Sequence, residues 1–417
     1  FKVKKKLLLL ETEMRGPGGH YLDNLLESFF FFKNDFNIHA ILNKSFDNEG
    51  TFIPNDLNIH KILKRNNIEK KENKILHYFL EILFFFKRIL LAIILIPHFI
   101  IQKNFLNYTN ALVSNRFILP RYFSEIYFFI KKRNFTKDDH IFFQTTRNKH
   151  MSLANFLARI EKEMPKIHLR ILYTPGERAF GGFYYFLNKM KIFLTNKKIN
   201  LYVLTKKNFN ILQNKLNFNE GIYLSNIPWV FFNRSNKNNF KTVGYMGDAR
   251  VNRGFNYLPE IIKKINLLSK DFKFIIQYSK VNNDVKTASD ELLELAKTNS
   301  NVTVHLKYMD YKEFRDTLQK IDIMPILHNS DEIKLGNPST IYSSITHQIP
   351  MTIPSNLGYM KDVLVHKSYE EADSIEETIK KIILIKNDYE NYLEAAKKNS
   401  NILLKIFNED PLKKNIK

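Results

Sequence analysis

The chain has 417 residues, of which 44% are hydrophobic; this excludes a disordered protein and favours two domains, each with its own core. Its 64 lysines and arginines against 42 acidic residues give a net charge of +22. The charge favours an anionic partner, although abundant lysine, asparagine, isoleucine and phenylalanine also suggest a compositional bias. There is no cysteine, which excludes disulfides and thiolate metal sites.

Short apolar segments alternate with helical patterns through the first half of the chain. A buried strand at Lys5–Glu11 leads through the glycine-rich segment Arg15–His20 into a helix at Tyr21–Leu26, as in the first unit of a doubly wound sheet. The other elements predicted here are strands at 37–42, 142–146, 167–173 and 200–204 and helices at 151–164 and 206–216. This alternation predicts an α/β domain with a parallel sheet over residues 1–230.

The polar segment Asn233–Asn239 interrupts the alternation and predicts a linker. Beyond it the predicted strands are 242–246, 272–278, 302–306, 323–327 and 350–354, and the predicted helices are 256–268, 288–298, 311–320 and 339–346. We therefore expect a second α/β domain over residues 241–373. Residues 374–417 are predicted to form a helical, amphipathic tail that crosses back to the first domain.

One segment, 75–101, resembles a membrane sequence. Its longest uncharged part, Ile89–Ile101, is shorter than the roughly 20 residues of a bilayer-spanning helix, and Pro97 interrupts it. Tyr78–Arg88 combines aromatic and basic residues, which fits either a helix covering the first sheet or a surface in the headgroup region of an anionic membrane. We expect a cytoplasmic protein whose first domain adheres to the inner face of the membrane, without a spanning helix.

The segment Gly244–Phe255 runs from a predicted strand, through a loop with Arg250 and Arg253, into a predicted helix. Backbone N–H groups at a helix start and cationic side chains beside them suit a diphosphate. The alternative is an ordinary strand–helix turn with solvated arginines. Gly336–Thr340 is a second loop of small residues, with a Ser/Thr cap that opens a helix and offers N–H and hydroxyl groups to the same diphosphate.

The first of these segments resembles the start of the C-terminal domain of GT-B glycosyltransferases of the glycogen-synthase-like (family 4-like) superfamily. In that family a glycine-rich turn precedes an Arg or Lys and then a Lys-Gly-Phe triplet, and the cations hold the donor diphosphate. Arg250 and Arg253 match those cations, with Gly254 and Phe255 following. Residues 301–306, 310–314, 322–325 and 349–351 resemble later motifs in the same order, and 15–20 resembles the glycine loop of the first domain.

The resemblance implies a GT-B architecture, in which two Rossmann-like domains face a cleft. It also has departures. Many relatives carry two glutamates eight positions apart in the donor loop, and the corresponding residues here are Leu335 and Ser343. Gln348 replaces the usual glycine, and the nearby acids Asp331 and Glu332 are out of register. Either this is a divergent member or the domain has lost the chemistry; we interpret the departures as divergence.

The predicted donor-binding residues are Gly18, Gly19, Gly247, Arg250, Arg253, Glu332, Ser339 and Thr340. On the acceptor side the prediction is Gln144, Thr145 and Arg147, which end a strand where open α/β sheets place ligand contacts. Because Gly16–His20 has no side chain at three of five positions, its backbone can approach a ligand closely.

Two residues are predicted as catalytic. Glu177 follows a predicted strand and could serve as general base in an inverting reaction, with Glu11 and Glu13 as alternatives; a retaining reaction needs no such base. His20 lies at a loop–helix junction, where it could contact the sugar or act as a base, or simply cap the helix.

The function expected from these features is transfer of a sugar from a nucleotide diphosphate sugar to a glycan or lipid-linked acceptor of the cell envelope. No cofactor is expected beyond the donor, and no metal, since no cluster has convincing ligand spacing. The alternatives are a non-catalytic GT-B-like interaction subunit and a nucleotide-sugar epimerase. Nucleic acid is not an expected partner, because the basic residues are spread along the whole chain.

Overall fold

The structure is a computed structural model that describes residues 4–12, 14, 20–47, 52–63, 74–172, 181–204, 206–225, 230–234, 241–279, 281–328, 339–356, 360 and 363–416. Contacts between residues divide the chain into two compact units. The first unit comprises Phe1–Glu49, Ile53–Ile227 and Pro411–Lys417, and the second comprises Gly50–Phe52 and Pro228–Asp410.

The first unit alternates strands and helices. Its strands are β1 (Lys6–Leu10), β2 (Asn37–Asn43), β3 (Asn58–Leu63), β4 (His140–Phe143), β5 (Lys166–Ile171), β6 (Ile199–Val203) and β7 (Ile222–Leu224). Its helices are α1 (His20–Phe32), α2 (Lys74–Ile94), α3 (Ile96–Ile101), α4 (Phe105–Ser114), α5 (Phe123–Lys132), α6 (Asn148–Ile160), α7 (Gly181–Lys189), α8 (Lys191–Thr195) and α9 (Lys206–Leu216).

The strands of the first unit form one parallel sheet in the order β3-β2-β1-β4-β5-β6-β7. The central strand β1 consists of a lysine and four leucines, and all four leucines are buried. A strand that is apolar on both faces is typical of a parallel sheet covered by helices on both sides. Each of these leucines contributes about 1.5–3 kcal/mol by its burial.

A group of helices between β3 and β4 covers part of this sheet. The helix α2 ends at Ile94, and α3 begins at Ile96 with Pro97 in its first turn. The predicted interruption at Pro97 is therefore confirmed, because proline has no N–H for the preceding turn. Phe99 on α3 stacks on Tyr108 of α4, which joins both helices to the core of the unit.

The second unit repeats the alternation. Its strands are β8 (Lys241–Met246), β9 (Phe272–Tyr278), β10 (Val302–Leu306), β11 (Met324–Pro325), β12 (Met351–Ile353) and β13 (Tyr369–Glu371). Its helices are α10 (Leu258–Leu268), α11 (Lys286–Thr298), α12 (Tyr311–Leu318), α13 (Ser339–Thr346), α14 (Ile375–Asn387) and α15 (Tyr389–Asn408). The last helix, α16 (Pro411–Ile416), belongs to the first unit.

The strands of the second unit lie in two parallel groups, β10-β9-β8 and β11-β12-β13. A parallel bridge between Val243 and Ile323 joins the groups, and the Gly244 N–H donates to the Ile323 carbonyl at 3.0 Å. The six strands therefore follow the order 10-9-8-11-12-13, with the crossover that makes a doubly wound sheet. The predicted fold class of two doubly wound α/β units is confirmed.

Candidate functional site

The loop after β8 is shaped by a glycine at which any side chain would strain the backbone and clash. Gly254 has φ +68, in the left-handed region, and a Cβ built on it would lie 2.3 Å from the Leu327 carbonyl oxygen. The loop therefore packs directly against the segment that follows β11. This contact places the carboxyl ends of β8 and β11 beside each other, where doubly wound sheets bind their ligands.

Arg253 lies in this loop and is half-buried. A Cβ added to Gly247 would be 3.2 Å from the Nη1 atom of Arg253, so the guanidinium lies over the glycine. Among the described residues no carboxylate accepts a hydrogen bond from this guanidinium, whereas Arg250 donates to Asp248 at 2.7 Å. Arg253 is thus the cation of the loop whose charge remains available to an anion.

Two buried polar atoms line the same small cavity as Arg253. His328 follows β11, and Thr340 lies in the first turn of α13. The Nδ1 atom of His328 and the Oγ1 atom of Thr340 have no hydrogen-bond partner within the described part of the chain. With Arg253 they line a cavity of about 10 Å³, which is about the space for one oxygen-sized group.

The electrostatics of this small cavity are cationic. Burial, and after it the charge of Arg253, lowers the pKa of His328 to about 4, so its imidazole is neutral near pH 7. A neutral imidazole carries one N–H donor, and the Thr340 hydroxyl is another. An anionic oxygen in this position would satisfy these groups and the guanidinium together.

A larger cavity of about 790 Å³ adjoins the small one along Ile326, Leu327 and His328. Its other lining residues include Arg250, Asn252, Tyr257, Asn282, Asp284 and the start of α14 at Asp373–Glu376. Ser374 caps α14 by accepting a hydrogen bond from the Glu377 N–H. The volume lies within the range of small-molecule and cofactor sites, roughly 300–1,000 Å³.

The structure brings four of the predicted donor-binding residues together, namely Gly247, Arg250, Arg253 and Thr340. Ser339 is the exposed first residue of α13 and lines neither cavity. Gly18, Gly19 and Glu332 lie outside the described residues. The sequence analysis missed His328, although its position directly after the predicted strand 323–327 was the available signal.

Polar residues also follow the strands of the first unit. Gln144 and Thr145 come directly after β4 and are buried, and neither side chain has a hydrogen-bond partner within the described residues. The predicted strand continued to residue 146, whereas β4 ends at Phe143; the backbone N–H groups of Gln144 and Thr146 still donate to the carbonyls of Leu10 and Arg170. Arg170, which the sequence analysis missed, is fully buried on β5 and donates from Nε to the Gln144 carbonyl at 3.0 Å.

Arg147 is the residue before α6, and its Nη2 atom donates to the Tyr21 hydroxyl at 3.3 Å. Its backbone N–H donates to Nδ1 of His150 at 3.0 Å. The proton of the neutral His150 ring is therefore on Nε2, 2.6 Å from Oγ1 of Thr12. This network joins the ends of β1 and β4 with the start of α6.

The predicted catalytic side chains lie outside what the structure describes, with one exception. His20 is the first residue of α1, and its side chain lies outside what the structure describes. Glu177 and the alternative Glu13 are likewise outside the described residues. Glu11, the other alternative, is fully buried directly after β1. Within the described ranges no group of three or more His, Cys, Asp or Glu could hold a metal ion.

Solved structures with the same fold were found at low sequence identity. Sucrose-phosphate synthase from Thermosynechococcus elongatus has a TM-score of 0.58 and 9% identity, over 97% of this chain and 95% of that one. HepE from Anabaena, in complex with UDP, has a TM-score of 0.56 and 11% identity, over 96% of this chain and 95% of that one. A putative UDP-N-acetylglucosamine 2-epimerase from Listeria monocytogenes has a TM-score of 0.55 and 11% identity, over 97% of this chain and 96% of that one.

No protein-family model and no curated protein sequence matches the chain. The likeness therefore concerns the fold, and it extends over nearly the whole length of the chain and of these three structures. The chain has the GT-B fold, as the resemblance in its sequence implied.

Proposed function

We propose that this chain transfers a sugar from a nucleotide diphosphate sugar to a hydroxyl of a glycan or lipid-linked acceptor of the cell envelope. In this reaction the bond between the anomeric carbon and the diphosphate oxygen breaks. A bond to the acceptor oxygen forms, the acceptor hydroxyl loses its proton, and a nucleoside diphosphate leaves. The observation that carries the proposal is the convergence of Arg253, His328 and Thr340 beside the 790 Å³ cavity.

The proposed donor site follows from the sizes and charges of the two cavities. A diphosphate oxygen fits the small cavity, where a guanidinium and two polar atoms without partners surround it. The nucleoside and sugar then occupy the larger cavity, which has room for them. Arg250 lines that cavity and would contact the diphosphate after its bond to Asp248 loosens.

In the proposed mechanism cationic side chains stabilise the leaving diphosphate. Negative charge develops on the diphosphate as the sugar departs, and a preorganised guanidinium stabilises that charge without rearranging. The proposed reaction therefore runs without a metal ion. We expect EDTA to leave the rate unchanged; a loss of rate that Mg²⁺ restores would contradict this part of the proposal.

The acceptor site in this proposal is the polar edge of the first unit, where Gln144 and Thr145 follow β4 and Arg147 precedes α6. Buried amide and hydroxyl groups that lack partners are suited to sugar hydroxyls, because the bound ligand satisfies them. His20 or Glu177 would take the acceptor proton if the reaction inverts the anomeric configuration. A cytoplasmic location on the inner face of an anionic membrane completes the proposal.

Product analysis with a panel of labelled nucleotide sugars tests the proposal. A transferase releases the nucleoside diphosphate and moves the label to an acceptor, whereas an epimerase returns the label in an isomeric nucleotide sugar. A non-catalytic interaction subunit leaves the whole panel unchanged. The expected result is label on the acceptor, lost in Arg253→Ala and retained in Lys263→Ala, a charge removal on the exposed surface of α10.

A further inference from the structure

The helix α2 presents an apolar face to solvent. The side chains more than about half exposed at helical spacing are Phe79, Ile82, Phe86, Leu90, Ile93 and Ile94. They follow the i, i+3, i+4, i+7 pattern of one helix face. A helix on the surface of a globular protein normally turns polar residues outward, so this face has the reverse polarity.

The exposed face is not a consequence of a loosely attached helix. Ala92 on α2 and Leu95 beside it are buried in the core, and the Ala92 carbonyl accepts a hydrogen bond from the buried Tyr108 hydroxyl at 2.8 Å. Arg88 donates to the Leu119 carbonyl at 3.2 Å. The inner side of α2 is therefore fixed to the first unit, and its outer apolar side stays exposed.

The apolar surface continues along the next two helices. Ile100 and Ile101 on α3, Leu106 and Val113 on α4, and Phe117 after α4 are each more than half exposed. Ile101 and Leu106 reach 78% and 73%. We call the exposed residues between Phe79 and Phe117 the α2–α4 face. Exposed apolar side chains on three helices that pack in succession mark an interaction site, because soluble monomers rarely show so many.

Basic side chains accompany the α2–α4 face. Lys87, Lys103 and Arg116 are exposed within it. Its exposed acid, Glu81, is bound in an ion pair by Arg121 at 2.5 Å, which neutralises it. The combination of apolar and cationic groups complements the acyl chains and the anionic headgroups of a membrane surface.

We propose that the α2–α4 face lies in the interface of an anionic lipid bilayer, with its apolar side chains at the boundary between headgroups and acyl chains. No helix in the described ranges is long and apolar enough to cross a membrane. The 21-residue α2, about 31 Å long at 1.5 Å per residue, would lie parallel to the bilayer plane. This interaction does not depend on the proposed reaction.

Vesicle sedimentation of the full chain tests the proposal, with phosphatidylglycerol–phosphatidylcholine vesicles and phosphatidylcholine vesicles at low and high salt. The double variant Leu90→Glu/Ile94→Glu changes two exposed positions, so the fold should tolerate it. We expect its partition into anionic vesicles to fall at least about tenfold. The matched control is Leu267→Glu/Leu268→Glu on α10 of the second unit, which adds the same charge at residues 84% and 65% exposed and should bind as the unaltered chain does.

A second measurement locates the inserted residues. In a Trp229→Phe background, the fluorescence of Phe86→Trp should be quenched by brominated lipids, while that of Leu267→Trp should not. Equal loss of vesicle binding in both double variants, or absence of quenching at position 86, would overturn the proposal. A chain that binds no vesicles and forms a dimer, which Leu90→Glu/Ile94→Glu dissociates in light scattering, would overturn it in favour of a protein interface.

Discussion

The carboxyl edges of the two sheets differ in how they hold their polar groups. In the first unit Glu11, Gln144 and Arg170 are fully buried. In the second unit Arg253 is only half-buried and lines a small cavity that adjoins one of about 790 Å³. The same type of sheet thus ends once in a buried polar layer, in which Gln144 and Thr145 lack hydrogen-bond partners within the described residues, and once beside an accessible space with an available cation.

The two sheet edges also differ in how each one surrounds an arginine. Arg170 is fully buried, donates from Nε to the Gln144 carbonyl at the neighbouring strand end and lies over the Phe142 ring, so packing within the fold encloses its guanidinium. Arg253 has no such partner among the described residues and faces His328 and Thr340. A cation held in place without an internal acceptor is an arrangement that a bound anion stabilises.

The largest expected effect on stability comes from substituting two glycines with similar backbone conformations, one in each unit. Gly254 and Gly221 have φ +68 and +69, and a Cβ on either would lie within 2.6 Å of a carbonyl oxygen. Because backbone strain and a clash add, Gly254→Ala and Gly221→Ala should each lower the free energy of unfolding by about 2–4 kcal/mol. Urea unfolding measures this.

The two glycine variants should differ in nucleotide binding. Under conditions where both remain folded, Gly254→Ala should weaken UDP binding, since it moves the loop of Arg253, and Gly221→Ala should not. Equal UDP affinity in the two variants would show that the position of the loop after β8 does not affect nucleotide binding.

The next effect concerns the pH dependence of stability in the first unit. Nδ1 of His140 lies 3.0 Å from Nε2 of His168, and both rings are buried. Burial, with the charges of Lys166 and Lys5, lowers the pKa of His140 to about 4; burial, with His140 and Lys166, holds the pKa of His168 well below its ordinary value.

These depressed pKa values mean that protonation opposes folding. For His140 the stability is fully present above pH 6.5 and is lost as the pH falls toward 4, by up to about 1.4 kcal/mol per pH unit, and His168 acts in the same direction. The variant His140→Phe should flatten the slope of unfolding free energy against pH between these values. An unchanged slope would mean that the pair does not resist protonation.

Much of this fold was predictable from the sequence, and the strands that were missed have the same place in their sheets. The central strands β1, β2 and β9 are continuous or nearly continuous apolar segments, and the prediction found them. The missed strands β3, β7 and β13 lie at sheet edges. An edge strand has one neighbour and partly exposed side chains, so its sequence lacks the apolar run; β13 has a buried glutamate, Glu370, at its centre.

The sequence predicted Arg250, Arg253 and Thr340, from two loops that each precede a helix, but not that these loops meet. Arg250 and Arg253 stand close together in the sequence and were found through their spacing. His328 and Thr340 stand about 75 and 87 residues after Arg253 in the sequence, and the pairing of β8 with β11 and the packing of Gly254 against Leu327 bring them to the loop. The membrane interpretation of Tyr78–Arg88 stays a prediction; which face of α2 points outward required the structure.

The smallest expected effect is a gain in affinity. Asp248 holds Arg250 at 2.7 Å and places a negative charge beside the proposed diphosphate. Because both side chains are partly exposed, the charge is screened, and Asp248→Asn should tighten UDP binding by less than about 1 kcal/mol. Calorimetry at low salt measures the change, and weaker binding would assign Asp248 a direct role in holding the donor.

The claim that Arg250 and Arg253 bind the donor diphosphate is tested most directly by calorimetric titration of UDP into Arg250→Ala/Arg253→Ala. A charge-assisted contact contributes roughly 1.5–3 kcal/mol, so the double variant should bind at least about tenfold more weakly while its unfolding transition stays intact. The control is Lys263→Ala, whose partner Glu291 lies on the outer surface of the same unit. Equal UDP affinity in the double variant and in the control would contradict the account.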